Sequence, residues 1–284
     1  MSVVFGAILP HGPDIIPEIA QDPQVMAETR SAMEEAGRRF LAAHVDTLLL
    51  IDVDLVHRQN KSATRTLYTG EPMITVSLAP RAGGVLGLTR DSFACDASLA
   101  HRILSDGRES SFPVLPAAGE DGEVPLFGGA LIPLWYTIRL AAAPRPQLVV
   151  ITPSPGVSRK ELWRFGRWLG ELATQSGKRI AIAASADQGH THDVNNPKFG
   201  FSPASARYDS LYCEAVRQNR LDRLLDVEDQ MLRDSWSDSL WQTLVLAGVL
   251  EANPLLLTFF SYAVPTYFGM AVAVYEPGPS PTPP

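Results

Sequence analysis

Cysteine is scarce in this chain: Cys95 and Cys213 are two among 284 residues. Two are too few for a disulfide framework or a thiolate zinc site, so a reducing, cytoplasmic setting is expected. Positive charge is short as well, with 24 Lys and Arg against 31 Asp and Glu and a net charge of −7. A nucleic-acid binder needs a basic face to neutralise phosphates, and no Lys/Arg cluster supplies one. The most apolar stretch, LLLTFFSYAVPTYFGMAVAVY, is interrupted by Pro265, Thr266 and Gly269, so neither a spanning helix nor a membrane partner is expected. The opening SVVFGAIL reads as a strand rather than as a charged segment followed by a signal core. Also missing are a Gly-rich phosphate loop, a dinucleotide fingerprint and a G-x-S-x-G nucleophile elbow.

What is present is an ordinary globular balance, 45% hydrophobic and 19% charged, on a chain long enough for a sizeable core. Four short runs, SVVFGAIL, TLLLIDVDLV, PQLVVITPS and KRIAIAAS, read as buried strands closed by polar residues, Pro or Gly. Between them lie helical segments at 23–44 and at 158–177, the second closed by Gly177. A third helix is expected over 202–227, with Ser202 as N-cap and Pro203 in its first turn. A fourth, strongly apolar helix is expected over 234–252. EPMITVSL and FGMAVAVYEP supply further strands at the periphery or antiparallel to the rest. Strands separated by helices imply one α/β domain over 1–276, with a mixed, largely parallel central sheet flanked by helices on both faces. The Pro-rich end, 277–284, is expected to be a disordered tail.

In open α/β sheets, ligands bind beyond the carboxyl ends of the strands. Those ends carry His11, then Asp52, Asp54 and His57, then the cluster Asp187, His190 and His192 in ASADQGHTHD. Four of the six histidines therefore gather where a site would form, whereas His44 and His101 fall inside expected helices. His11 sits before Gly12-Pro13, so its imidazole is presented by a turn, either as a metal or substrate contact or bonded to nearby backbone. His57 is a further ligand candidate, with a solvated loop residue as the alternative. His190 can serve as a general acid/base, and Asp187 is its candidate orienting partner. His192 points away from His190 if the chain is extended, which suits a structural role. For a carboxylate ligand the candidates are Asp238 and Asp234. The spacing Ser235-x-x-Asp238 also matches a capping box, in which such acids serve a helix N-terminus. Trp163, Trp168, Trp236 and Trp241 fall on helix faces and are read as packing residues.

A strand ending in His near the N-terminus, then ASADQGHTHD, NPKFGFSPASARYD, DSLWQTLVLAGVL and PTYFGMAVAVY, in that order, together resemble the class III extradiol ring-cleavage dioxygenases, the LigB family. The resemblance spans most of the chain and is densest over 181–275. It implies an α/β fold, one Fe(II) held by two histidines and a glutamate, and a catecholic or aminophenolic substrate opened by O₂ beside the diol. It also implies a homodimer or a pairing with a small second subunit. Carried over residue by residue, His11 matches the first ligand and His190 the acid/base histidine. The second ligand histidine belongs directly after TLLLI, where the chain reads DVDLV, and His57 arrives a few residues late. The family's mid-chain Asp-His-Gly is Phe127-Gly128-Gly129 here, with Pro133-Leu134 behind it. No glutamate stands in register for the carboxylate, and Asp238 is nearest. The expected metal set is thus His11, His57 and Asp238, binding Fe(II) or another divalent ion. The alternatives are a member that has lost iron chemistry and acts as a binding or partner protein, and a zinc-dependent hydrolase.

Overall fold

A computed structural model describes residues 2–53, 71–119 and 121–278. His57, Asp54 and most of the Pro-rich tail, residues 279–284, lie outside the described residues. In chain order the strands are β1 Val3–Leu9, β2 Thr47–Ile51, β3 Ile74–Ser77, β4 Arg81–Leu86, β5 Thr89–Ala94 and β6 Val114–Ala117. They continue with β7 Glu123–Pro125, β8 Gln147–Pro153, β9 Ile180–Ser185, β10 Leu256–Ala263 and β11 Met270–Glu276. The helices are α1 Ala27–Ala42, α2 Ala97–Glu109, α3 Gly128–Tyr136 and α4 Arg159–Gln175, then α5 Pro203–Arg217, α6 Asp229–Ser235 and α7 Leu240–Ala252.

The central sheet has the order β10-β11-β1-β9-β2-β8-β3-β6. Its middle, β1, β9, β2 and β8, is parallel and in step: Leu49 pairs with Val149 on one side and Ile182 on the other. The flanks reverse direction, since β11 runs antiparallel to β1 and β3 antiparallel to β8. This is the mixed, largely parallel sheet expected from the sequence.

Alternation along the buried strands divides the core in two. Leu49, Ile51, Val149, Ile151, Ile180 and Ile182 face a cluster built with α2, α4, α5 and α7. Their neighbours Leu48, Leu50, Leu148, Val150, Ala181 and Ala183 face a second cluster built with α1 and α3. Because both faces are covered, the strands read as unbroken apolar runs rather than as alternating ones.

Several local expectations change. The helix expected over 202–227 begins as anticipated, with the Ser202 hydroxyl accepting from the Ala204 amide. It stops at Arg217, and Asn219 then takes a left-handed conformation, φ 51°. The segment 234–252 is split between α6 and α7 by Trp236, also left-handed at φ 52°. No capping box forms there: the Ser235 hydroxyl bonds back to the Leu232 carbonyl at 3.1 Å. LLTFFSYA, in the broken apolar stretch, is the edge strand β10, and a small sheet β5-β4-β7 escaped the sequence pattern altogether. His44 lies just past the end of α1 in a left-handed turn, φ 46°, rather than within the helix.

Candidate active site

The parallel strands end side by side. Leu9 of β1 pairs with Ser185 of β9, and Ala184 pairs with Ile51 of β2. The residues that follow, His11, Asp187, His190 and Asp52, therefore emerge at one end of the sheet. Asp238 reaches the same place from the turn between α6 and α7. Its Oδ1 accepts the Asp187 amide at 3.2 Å. Of the two carboxylates singled out, Asp238 is at the site; Asp234 is exposed on α6, with Gln230 donating to it at 2.7 Å. The break at Trp236 that divides the two helices is what separates them.

His11 is the centre of the arrangement. Its Nδ1 lies 2.9 Å from the Ser185 hydroxyl, which is 2.5 Å from the Gly129 carbonyl. A hydroxyl has one proton, and a carbonyl can only accept, so Ser185 gives its proton to Gly129 and must accept from His11. Nδ1 therefore carries the hydrogen, and in the neutral ring Nε2 carries a lone pair. That lone pair faces Asp187 Oδ2 and Asp238 Oδ2, each 3.4 Å away. The imidazole and two buried carboxylates converge on one point, where a positive charge, either a proton on Nε2 or a cation, is favoured. A proton on Nε2 offsets only one of the two carboxylate charges.

The titration behaviour follows this imbalance. Burial pushes the Asp187 carboxyl up, with the charge of Asp238 adding to it against the pull of His11. For Asp238 burial acts the same way, but His11, His190 and the Asp187 amide outweigh it and hold the group below the usual carboxylate range. One carboxylate is thus favoured as the charged form and the other resists it, as expected when like charges share a dry site.

Asp187, the expected orienting partner of His190, is bonded to the His11 backbone instead. Its Oδ1 accepts the His11 amide at 2.9 Å, and no hydrogen bond joins it to His190 among the described residues. The His190 amide donates to the Ser235 carbonyl at 2.7 Å. Its ring stacks on Phe268, with centroids 5.3 Å apart and planes 14° from parallel, and also touches Phe199 and Tyr267. Its Nδ1 is buried with no hydrogen-bond partner among the described residues. The Tyr267 hydroxyl titrates high because of burial and the nearby carboxylates Asp187, Asp14 and Asp238. Gly12 lets the platform close over the site: a Cβ there would lie 2.6 Å from the Phe268 ring.

His192 turns away from His190, and its Nε2 is 2.8 Å from Asp209 Oδ2. Ser185, the Gly129 carbonyl and the Phe199–Tyr267–Phe268 platform were not singled out from the sequence. Ser185 stood in the ASADQGHTHD stretch itself, so a hydroxyl at a strand end beside a histidine was the available signal. Gly129 contributes backbone, for which no side-chain signal exists. Its carbonyl fixes the His11 tautomer through Ser185.

Whether the site suits a metal depends on its donors. Among the described residues no three His, Cys, Asp or Glu side chains form a complete group for a metal ion. His11 and Asp238 are nevertheless in place, and Asp187 is committed to His11 through its amide. His57, the third expected ligand, is outside the described residues. The chemistry of the donors that are present fits a divalent cation, because an imidazole and two buried carboxylates converge there.

The family model described as the catalytic LigB subunit of aromatic ring-opening dioxygenase matches residues 6–274. No curated protein matches the chain. Among solved structures, an uncharacterized protein, JW3007 from Escherichia coli K12, is similar in fold at a TM-score of 0.59 and 13% identity. The alignment covers 95% of this chain and 99% of that one. No helix among the described residues is long and apolar enough to cross a membrane. With the match running over nearly all of the α/β sheet and through every segment of the site, the chain belongs to the family of catalytic LigB subunits of aromatic ring-opening dioxygenases.

Proposed function

We propose that the protein is an Fe(II)-dependent extradiol dioxygenase that opens a catecholic or aminophenolic ring beside its two vicinal heteroatoms. The observation that carries this reading is the convergence of the His11 imidazole, held by Ser185, with two buried carboxylates at the end of the sheet. His11, Asp238 and His57 would hold the metal. When bound, the iron supplies Lewis acidity toward the diol and one-electron chemistry toward O₂.

The rest falls to the chain's own residues. Ser185 and the Gly129 carbonyl keep the His11 proton on Nδ1, so that Nε2 stays available as a donor. Asp187 anchors the His11 backbone through Oδ1. His190, stacked on Phe268 and close enough to the carboxylates to influence both, takes a hydroxyl proton from the substrate and returns one during ring opening. Tyr267, Phe268 and Phe199 form an apolar wall that suits a flat ring and keeps water from the reacting atoms.

A second reading is a LigB-fold protein that binds an aromatic ligand without opening it. It is favoured by Phe127-Gly128-Gly129 standing where the resemblance implies a histidine-containing tripeptide. Anaerobic loading with Fe(II), followed by O₂ uptake over a panel of catechols and aminophenols, separates the two. Uptake matched by a yellow ring-opened product supports cleavage. Aromatic binding without O₂ uptake by the iron-loaded protein refutes it.

A further inference from the structure

Among the described residues the His190 ring has no hydrogen bond on Nδ1 and leans on Phe268, so its aim depends on how its backbone and that platform are held. Both are held by one buried carboxylate. Asp209 of α5, 1% exposed, accepts from the Gly189 amide at 2.7 Å through Oδ1. Its Oδ2 meets His192 Nε2 at 2.8 Å and the Tyr262 hydroxyl at 2.6 Å. Asp209 thereby grips the chain on both sides of His190, at positions 189 and 192, and ties it to β10.

The same carboxylate also borders the platform. Gly269 follows Phe268, its amide donates to the Gly189 carbonyl at 3.0 Å, and its own carbonyl accepts the Gln188 amide at 2.8 Å. A Cβ on Gly269 would lie 2.3 Å from Asp209 Oδ2. The close approach of Gly269 to Asp209 thus sets the spacing between the His190 turn and the segment that carries Phe268.

We infer that Asp209, with His192 and Tyr262, is a positioning residue: it fixes the Gly189–His192 turn and aims the His190 imidazole. The inference rests on the reading of His190 as the acid/base group. In this cluster both oxygens of the carboxylate are hydrogen-bonded. One carboxylate receives three donors, so it is suited to holding the turn rather than to reacting. A cavity of about 720 Å³ lined by His192, Asp209 and Tyr262 opens on the side of this cluster.

The test uses the full chain, with Asp209→Asn, His192→Gln and Gly269→Ala beside wild type. Gly269→Ala disturbs Asp209 without altering any hydrogen-bonding side chain, and it stands in should Asp209→Asn fail to fold. Two readouts are taken: the imidazole NMR signals of His190, identified by their loss in His190→Gln, and kcat and KM for ring opening by the iron-loaded protein. Asp209→Asn and Gly269→Ala are expected to move the His190 signals and to lower kcat by about 10- to 100-fold while KM stays within about 3-fold. His192→Gln removes the imidazole that meets Asp209 Oδ2 and is expected to move the His190 signals in the same direction, by less than Asp209→Asn. Unchanged His190 signals in the folded variants overturn the proposal, and so does an unchanged kcat per folded molecule in an active protein. If wild type opens no ring on any substrate, the functional reading fails, and the NMR signals alone still decide whether Asp209 places His190.

Discussion

Two histidine–aspartate arrangements lie within a few residues of each other, and they are opposites. At His192 a single carboxylate, Asp209, receives an imidazole, a phenol and a backbone amide, so every lone pair facing inward has a donor. At His11 two buried carboxylates converge on one imidazole nitrogen, so even a protonated ring offsets only one of the two charges. Burial of a satisfied group is tolerated, but an excess of like charge in a dry place costs stability unless something positive arrives. The first arrangement therefore reads as scaffold and the second as a site. The residue types are the same in both, and only the count of donors against acceptors tells them apart.

The comparison breaks most sharply at His11. His11→Ala is expected to abolish tight Fe(II) binding and ring opening together, read by metal content and O₂ uptake. Retention of both would place the ligand elsewhere. His190→Gln should lower kcat by about 10²- to 10⁴-fold while metal content stays at the wild-type level. A parallel loss of metal would make His190 a ligand rather than an acid/base group. Ser185→Ala removes the acceptor that fixes the His11 tautomer, and a 10- to 100-fold loss of Fe(II) affinity is expected, on the order typical of residues behind metal ligands.

The smallest effect is sought away from both arrangements. Asp96 caps α2 through the Leu99 amide and accepts from Thr47 and Lys178. Burial opposes its charge, but these bonds prevail and hold its pKa below the ordinary carboxylate value. A depressed carboxyl contributes stability above its unfolded pKa and loses it as pH falls through the folded one. Wild type should exceed Asp96→Asn by about 1 to 3 kcal/mol in urea unfolding at neutral pH. The gap should shrink below about pH 4. An equal gap at both pH values would mean the carboxylate charge is not what stabilises the helix start.

The sequence carried the architecture well because its signals are strong where both faces of a sheet are covered. Runs such as TLLLI and IAIAAS have no other comfortable place. It was weak where one residue changes the chain direction: nothing in DSWSDSLW marks Trp236 for a left-handed conformation, and with that turn went the distinction between Asp234 and Asp238. The site was legible as residue types at strand ends, His11 and His190 above all. What stayed hidden was pairing. Asp187 stands three residues before His190 but bonds to His11, 176 positions away, because parallel pairing of β1 with β9 makes those strand ends neighbours. The Gly129 carbonyl behind Ser185 could not be read from side chains at all.

The most direct measurement is calorimetric titration of the metal-free protein with Fe(II) under anaerobic conditions, wild type beside His11→Ala. The expected result is binding of about one Fe(II) per chain, lost when His11 is removed. No stoichiometric binding by wild type, or equal binding by both proteins, would contradict the assignment of the His11 cluster as a metal site.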